Sequence, residues 1–154
     1  MQGLIALGGG RGKERAIMPD LEEFVGDWTL TREIRDAYAG QNARFDGRAC
    51  FSPGDGGLMY VERGVLCLPG QAPMTAERQY LWRQGPGGVE VFFNDGRFFH
   101  AIGPGDRPEA MHDCAPDRYH VRYDFAQWPR WTSVWQVSGP RKDYVMRSDF
   151  APAG

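Results

Sequence analysis

Four side chains in this sequence do chemistry when they meet in a dry place: Arg32, Glu62, Arg78 and His112. Each stands where apolar and polar residues alternate, and each falls on the mostly apolar side. Arg32 shares its face with Trp28, Leu30 and Ile34, and Glu62 with Leu58, Tyr60 and Gly64. Arg78 goes with Ala76, Tyr80 and Trp82, and His112 with Ala110 and Cys114. Side chains two apart on a strand point the same way, so charges and an imidazole are set among aromatic rings. A charge on an inward face is costly unless it is paired. Two arginines and one glutamate leave one positive charge over. One reading is a buried ion network, with Glu62 held between Arg32 and Arg78 in a filled core. The other is that the surplus guanidinium awaits an anion, gripped bidentately as guanidinium prefers.

Other residues extend these faces. Tyr119, Val121, Tyr123 and Phe125 share one face, and Trp135 runs with Trp131, Ser133 and Val137 as an opposite wall. His120 falls on the reverse face with Arg118 and Arg122 and is expected in solvent. His100 is flanked by Phe98 and Phe99, so alternation assigns it no face. The expected ligand-binding set is Arg32, Tyr60, Glu62, Arg78, Tyr80, Trp82, His100, His112, Tyr119, Tyr123 and Trp135. As an acid or base, His112 needs only a polar partner such as Glu62 or Tyr119. No triad, dyad or nucleophile motif is visible. His100, His112 and Cys114 are metal-ligating types without a carboxylate at helpful spacing, so no metal and no cofactor is expected.

Strands must position these residues. Ten are predicted, over 27–36, 43–52, 58–68, 74–83, 89–93, 97–102, 109–114, 118–126, 131–138 and 143–150. Turn-forming clusters separate them, such as Pro53-Gly54-Asp55-Gly56-Gly57 and Asn94-Asp95-Gly96. Short strands at regular spacing indicate an all-β antiparallel meander. Closing into an up-and-down barrel removes its edges, and a barrel of 8–10 strands has room for an interior ligand. A two-sheet sandwich is the alternative. One short helical turn is expected over 20–25, with Asp20 as its cap. Residues 1–18 read as a flexible leader and 19–154 as the barrel domain. The leader's Gly8-Gly9-Gly10-Arg11-Gly12-Lys13 is not a phosphate loop, because Leu7 and Glu14 stand where that motif needs a glycine and Ser or Thr.

The bulk numbers narrow the function. At 154 residues, one domain is the default. Net charge is −2 and only two lysines are present, Lys13 and Lys142, so nucleic acid is not an expected partner. Three cysteines, far apart and without a CxxC pair, fit reduced thiols in a cytoplasm better than a disulfide framework. No apolar run approaches the roughly 20 residues of a membrane span. Met1 to Leu7 lack a basic region, so no secretory signal is expected.

Phe24, Gly26 and Trp28 resemble the Phe-x-Gly-x-Trp opening of the lipocalin and calycin superfamily. The chain as a whole resembles an uncharacterised bacterial domain-of-unknown-function family with a lipocalin-like barrel. That likeness is carried by Tyr60 to Gly64, Tyr80 to Trp82, Phe93 to His100, His112 to Cys114 and Trp135 to Pro140. The resemblance implies the barrel and no activity. It makes Trp28 the plug at the narrow end and points to Arg147 as the arginine stacked across it, although alternation turns Arg147 outward. Lipocalin secretion features are missing: no disulfide pair, and no helix after the last strand.

Three functions compete. The first is a cytoplasmic barrel binding a small anionic aromatic or acyl molecule inside. The second is a calycin-type lyase or isomerase working with Glu, His, Tyr and Arg in the cavity. The third is a filled barrel serving as an interaction module, in which an exposed aromatic face allows a homodimer.

Overall fold

The computed structural model describes residues 17–54 and 56–154. A single 3-10 turn (Leu21–Phe24) leads into ten strands. They are β1 (Gly26–Asp36), β2 (Gln41–Gly54), β3 (Gly57–Cys67), β4 (Met74–Gly85) and β5 (Gly88–Phe93). β6 (Phe98–Ile102), β7 (Glu109–Cys114), β8 (Asp117–Asp124), β9 (Trp131–Gly139) and β10 (Lys142–Pro152) follow. The sheet order is β6-β5-β4-β3-β2-β1-β10-β9-β8-β7, antiparallel throughout. Each strand therefore pairs with its sequence neighbour, and the β1–β10 ladder rolls the meander up. Only β6 and β7 are left without a ladder between them. The result is a nearly closed up-and-down barrel rather than a sandwich.

Strand alternation decides what is inside. On β2, Phe45, Ala49 and Phe51 are buried while Arg44, Asp46 and Arg48 are exposed. Gly47 and Gly64 face each other across the β2–β3 ladder. A Cβ on Gly64 would meet the Asp46 carbonyl, and would stand 2.6 Å from Gly47 Cα and 2.8 Å from Phe45 Cζ. Side chains are excluded there because the two strand backbones approach too closely to admit one.

One end is plugged by aromatics. Phe24, carried in by the 3-10 turn, is surrounded by the rings of Trp28, Phe51, Trp82, Phe125, Trp128 and Trp131 at 4.8 to 6.4 Å. Trp28 Nε1–H donates to the Phe24 carbonyl at 2.9 Å, tying plug to strand. The arginine stack that the resemblance suggests is not formed: Arg147 points outward and pairs with Asp149 at 3.1 Å. Alternation was the better guide because β10 keeps its pleat past Arg147, with Met146, Ser148 and Phe150 buried. Asp20 precedes the turn, where its backbone N–H donates to the Glu23 carboxylate at 2.7 Å.

The expected leader lies, over residues 1–16, outside the described residues. Its last two residues belong to the barrel. Ile17 bridges to Gly105, and Met18, whose N–H donates to the Pro104 carbonyl at 3.1 Å, is buried in the core.

Candidate functional site

The barrel brings Arg32 of β1 and Glu62 of β3 together in the interior. They are 7% and 2% exposed. Arg32 Nη1 and Nη2 donate to the two Glu62 oxygens at 2.5 and 2.9 Å, a bidentate fork. Arg32 Nε donates to Ser148 Oγ at 2.7 Å, and Tyr60 Oη donates to Glu62 Oε1 at 2.5 Å. The arrangement follows from register: Ser148 stands directly opposite Arg32, and Tyr60 is two residues before Glu62 on the same face. Burial alone would raise the Glu62 pKa. The hydrogen bonds and charge of Arg32, then the Tyr60 hydroxyl and the charge of Arg78, outweigh it and hold the carboxyl below its ordinary 4.5. Burial pushes the Tyr60 hydroxyl well above its usual range, so it stays a donor. Glu62 is thus an ionised carboxylate that accepts three hydrogen bonds.

Arg78 is not the second jaw on Glu62. It stands opposite Glu62 in the β3–β4 ladder, yet it is exposed and its guanidinium lies 5.8 Å from the Trp135 ring centre, across the barrel. Among the described residues no carboxylate comes within ion-pair distance of it. Its long stem carries the guanidinium out to water, whereas Arg32, level with Phe45 and Ser148, stays buried and takes both Glu62 oxygens.

Between these groups lies a cavity of about 30 Å³, room for about two water molecules. Arg32, Tyr60, Glu62, Arg78, Tyr80 and Trp82 line one side. His100, Tyr123, Trp131, Ser133 and Trp135 line the other, with Val91 and Phe150 completing the wall. Nine of the eleven expected residues meet here. The two outside are His112 and Tyr119, both half-buried behind Phe99, with ring centres 5.3 and 5.5 Å from it. Glu62 and His112 do not share the cavity. His120 faces outward as expected but is half-buried and paired with Glu109 at 2.7 Å. Cys114, placed inward by alternation, is exposed at the end of β7. Among the described residues no group of three or more His, Cys, Asp or Glu side chains converges to hold a metal ion.

A break in the β5–β6 ladder settles His100. The register shifts between Val91 and Phe92, so Phe99 and His100, neighbours in sequence, are both buried. A bulge does this by turning one residue against the pleat. His100 Nε2 lies 2.9 Å from Tyr123 Oη. Burial, with the nearby His112 adding to it, lowers the His100 pKa to about 3, so the ring is neutral.

A model of a family of unknown function (DUF6314) matches residues 24–152. The chain belongs to this family. The match covers the whole DUF6314 barrel from the Phe24 plug to the end of β10, and with it every residue of the cavity. No functionally curated protein matches the chain. Among solved structures, the DUF6314 barrel is similar to an S-type phycobiliprotein lyase, CPES, from Guillardia theta, with a TM-score of 0.59. Identity is 8%, over 87% of this chain and 90% of that one. At such identity the likeness shows the lipocalin-like fold and nothing of the site. Among the described residues no helix is long and apolar enough to cross a membrane.

Trp131 and Ser133 complete the cavity but were not in the expected set. The signal was available, since both share the face of Trp135.

Proposed function

We propose that the barrel binds a small anionic aromatic or acyl molecule at the mouth of its interior, with Arg78 as the anchor. One observation carries the reading: the only buried carboxylate in the cavity is already closed by Arg32, so Arg78 brings an uncompensated positive charge to an aromatic-lined hollow. A carboxylate meeting it on the Trp135 ring keeps the cation over the ring face and gains a charge-assisted fork. Arg78 also roofs the cavity. An exposed cation over a ring is held by only about 0.5–1 kcal/mol, so swinging it aside to admit a ring is cheap. Glu62, fixed as a carboxylate, is poorly suited to proton transfer, which weighs against the lyase or isomerase alternative. Three free, exposed thiols, Cys50, Cys67 and Cys114, suit a reducing cytoplasm.

The test is calorimetry with benzoate, cinnamate and octanoate beside their uncharged amides. The acids are expected to bind and the amides not. Arg78→Met is expected to weaken the acids by about 10- to 100-fold, the span of a charge-assisted hydrogen bond, with Arg78→Lys recovering part. Binding that ignores Arg78→Met would sink the anchor. The small volume of the closed cavity favours a second reading, a filled barrel acting as an interaction module. No response to any acid, together with a concentration-dependent dimer, would select it.

A further inference from the structure

The barrel has a seam. Among the described residues no ladder joins β6 to β7, the two strands that end the sheet order. The backbone tells which groups face that seam. The Tyr123 N–H donates to the Pro108 carbonyl at 2.9 Å, and this pair keeps the register of the β7–β8 ladder, where Glu109 is opposite Arg122. Antiparallel pairs alternate between those that share hydrogen bonds and those that do not. Stepping by twos from Pro108, Ala110 and His112 turn their N–H and C=O toward β8. Glu109, Met111 and Asp113 turn theirs the other way, into the seam. Such an edge is a template for one more strand.

Exposed apolar side chains gather at the same place. Three of the four most exposed large hydrophobic residues among those described are Ile17, Met111 and Phe98, at 62%, 56% and 50%. Phe98 stands on β6 and Met111 on β7, one on each lip. Ile17 bridges to Gly105, in the loop that joins the two strands.

We propose that the occupant of this edge is the chain's own stretch before Ile17, with residues 8–16 laid along β7 as an added strand. Connectivity gives the direction. The Ile17–Gly105 bridge is antiparallel, and the Met18 N–H donates to the Pro104 carbonyl at 3.1 Å. In an antiparallel pairing, the chain running back from Ile17 advances beside the chain running forward from Gly105. That path leads through residues 106–108 into β7. Reach is sufficient, since residues 8–16 match residues 106–114 in number and extend over about 30 Å. Charge agrees. β7 carries Glu109 and Asp113 and no basic residue, whereas residues 8–16 hold Arg11, Lys13 and Arg15 against Glu14 alone. Both β7 carboxylates touch a partner on β8, His120 and Arg118, yet their side chains stay 60% and 72% exposed. Gly8, Gly9, Gly10 and Gly12 bring no side chain that must find room between Phe98 and Met111. Tethering helps as well, because a short covalent link supplies the strand at an effective concentration on the order of millimolar. A second copy is the poorer occupant: two β7 edges side by side would crowd four carboxylates, and like charges across a sheet repel.

Amide hydrogen exchange tests this, read residue by residue by NMR on the full chain and on a chain lacking residues 2–16. Glu109, Met111 and Asp113 are expected to exchange about tenfold more slowly in the full chain, as for hydrogen bonds made there and lost in the shortened one. Ala110 and His112, bonded to β8, should change little and so report that the shortened chain is folded. Arg11→Glu/Lys13→Glu, which alters no described residue, should speed the three seam amides by about threefold, as for two exposed charge pairs. Nuclear Overhauser contacts between residues 8–16 and β7 in the full chain are expected too, and they depend on no variant. Equal exchange of the seam amides in the full and shortened chains would overturn the proposal. Absence of the Overhauser contacts would overturn it even if the shortened chain failed to fold. Protection that survives the deletion and rises with protein concentration would also overturn it and give the seam to a second copy.

Discussion

Replacing Glu62 with leucine is expected to lower the unfolding free energy by about 3–5 kcal/mol, the usual penalty for leaving a buried charge without its partner. Arg32 is the charge left behind. It is 7% exposed, and its only other polar contact is Ser148. Among the described residues no other carboxylate forms an ion pair with it. Arg32→Met should be similarly harmful, since it leaves the buried Glu62 carboxylate with the Tyr60 hydroxyl as its one remaining partner. The double change Arg32→Met/Glu62→Leu should recover most of the loss, because a buried ion pair seldom outperforms well-packed apolar groups. Urea titrations of the four proteins check this, with a moved midpoint at an unchanged slope marking a true stability effect. A Glu62→Leu protein within 1 kcal/mol of its parent would mean that the fork contributes little. The pair also sets an acid limit. Its folded pKa lies below 4.5, so the unfolded chain takes up the proton first as pH falls. The stability it lends is full above 4.5 and is lost as pH drops through the folded value.

A second acid effect begins at higher pH and comes from His100. With its folded pKa near 3 against an ordinary 6.5, the unfolded chain binds a proton that the folded chain refuses throughout that interval. The unfolding free energy should therefore fall by about 1.4 kcal/mol per pH unit below 6.5, or about 3 kcal/mol by pH 4.5. His100→Phe should flatten the slope between pH 6.5 and 5, a window in which Glu62 is ionised in both states. The check is the difference in denaturation midpoint between pH 7.5 and pH 5, for each protein. An unchanged slope in His100→Phe would show that the ring is protonated inside the barrel, or that it titrates no differently there than in the unfolded chain.

The strands and the roll of the sheet were legible because period-two alternation is strict here: each predicted strand has its counterpart in β1 to β10, within a few residues at the ends. The same alternation put Arg32, Glu62 and Tyr60 inward. It could not say that Arg78 would miss Glu62, because alternation gives a side chain's face and not its reach, and the long Arg78 stem carries its charge to water. His100 was illegible for another reason. A bulge suspends the alternation, and nothing in the order Phe98, Phe99, His100 tells a reader that two successive side chains turn in. His112 and Tyr119 were placed on the right face and missed the cavity because Phe99, displaced inward by that bulge, stands between.

The absent ladder between β6 and β7, and the adjacency of β1 and β10, bear on how the chain folds. Thr29 and Ala151 are 122 residues apart, yet their strands must pair before the barrel exists. Every other ladder joins consecutive strands. A circularly permuted chain, cut within residues 103–108 and spliced from Ala153 back to the 3-10 turn, would read β7 to β10 and then β1 to β6. All nine ladders would then be hairpin-local and the relative contact order would fall sharply. Refolding in a stopped-flow mixer should be faster than for the natural connectivity, because the loop-closure entropy of that single distant pairing would no longer stand in the way.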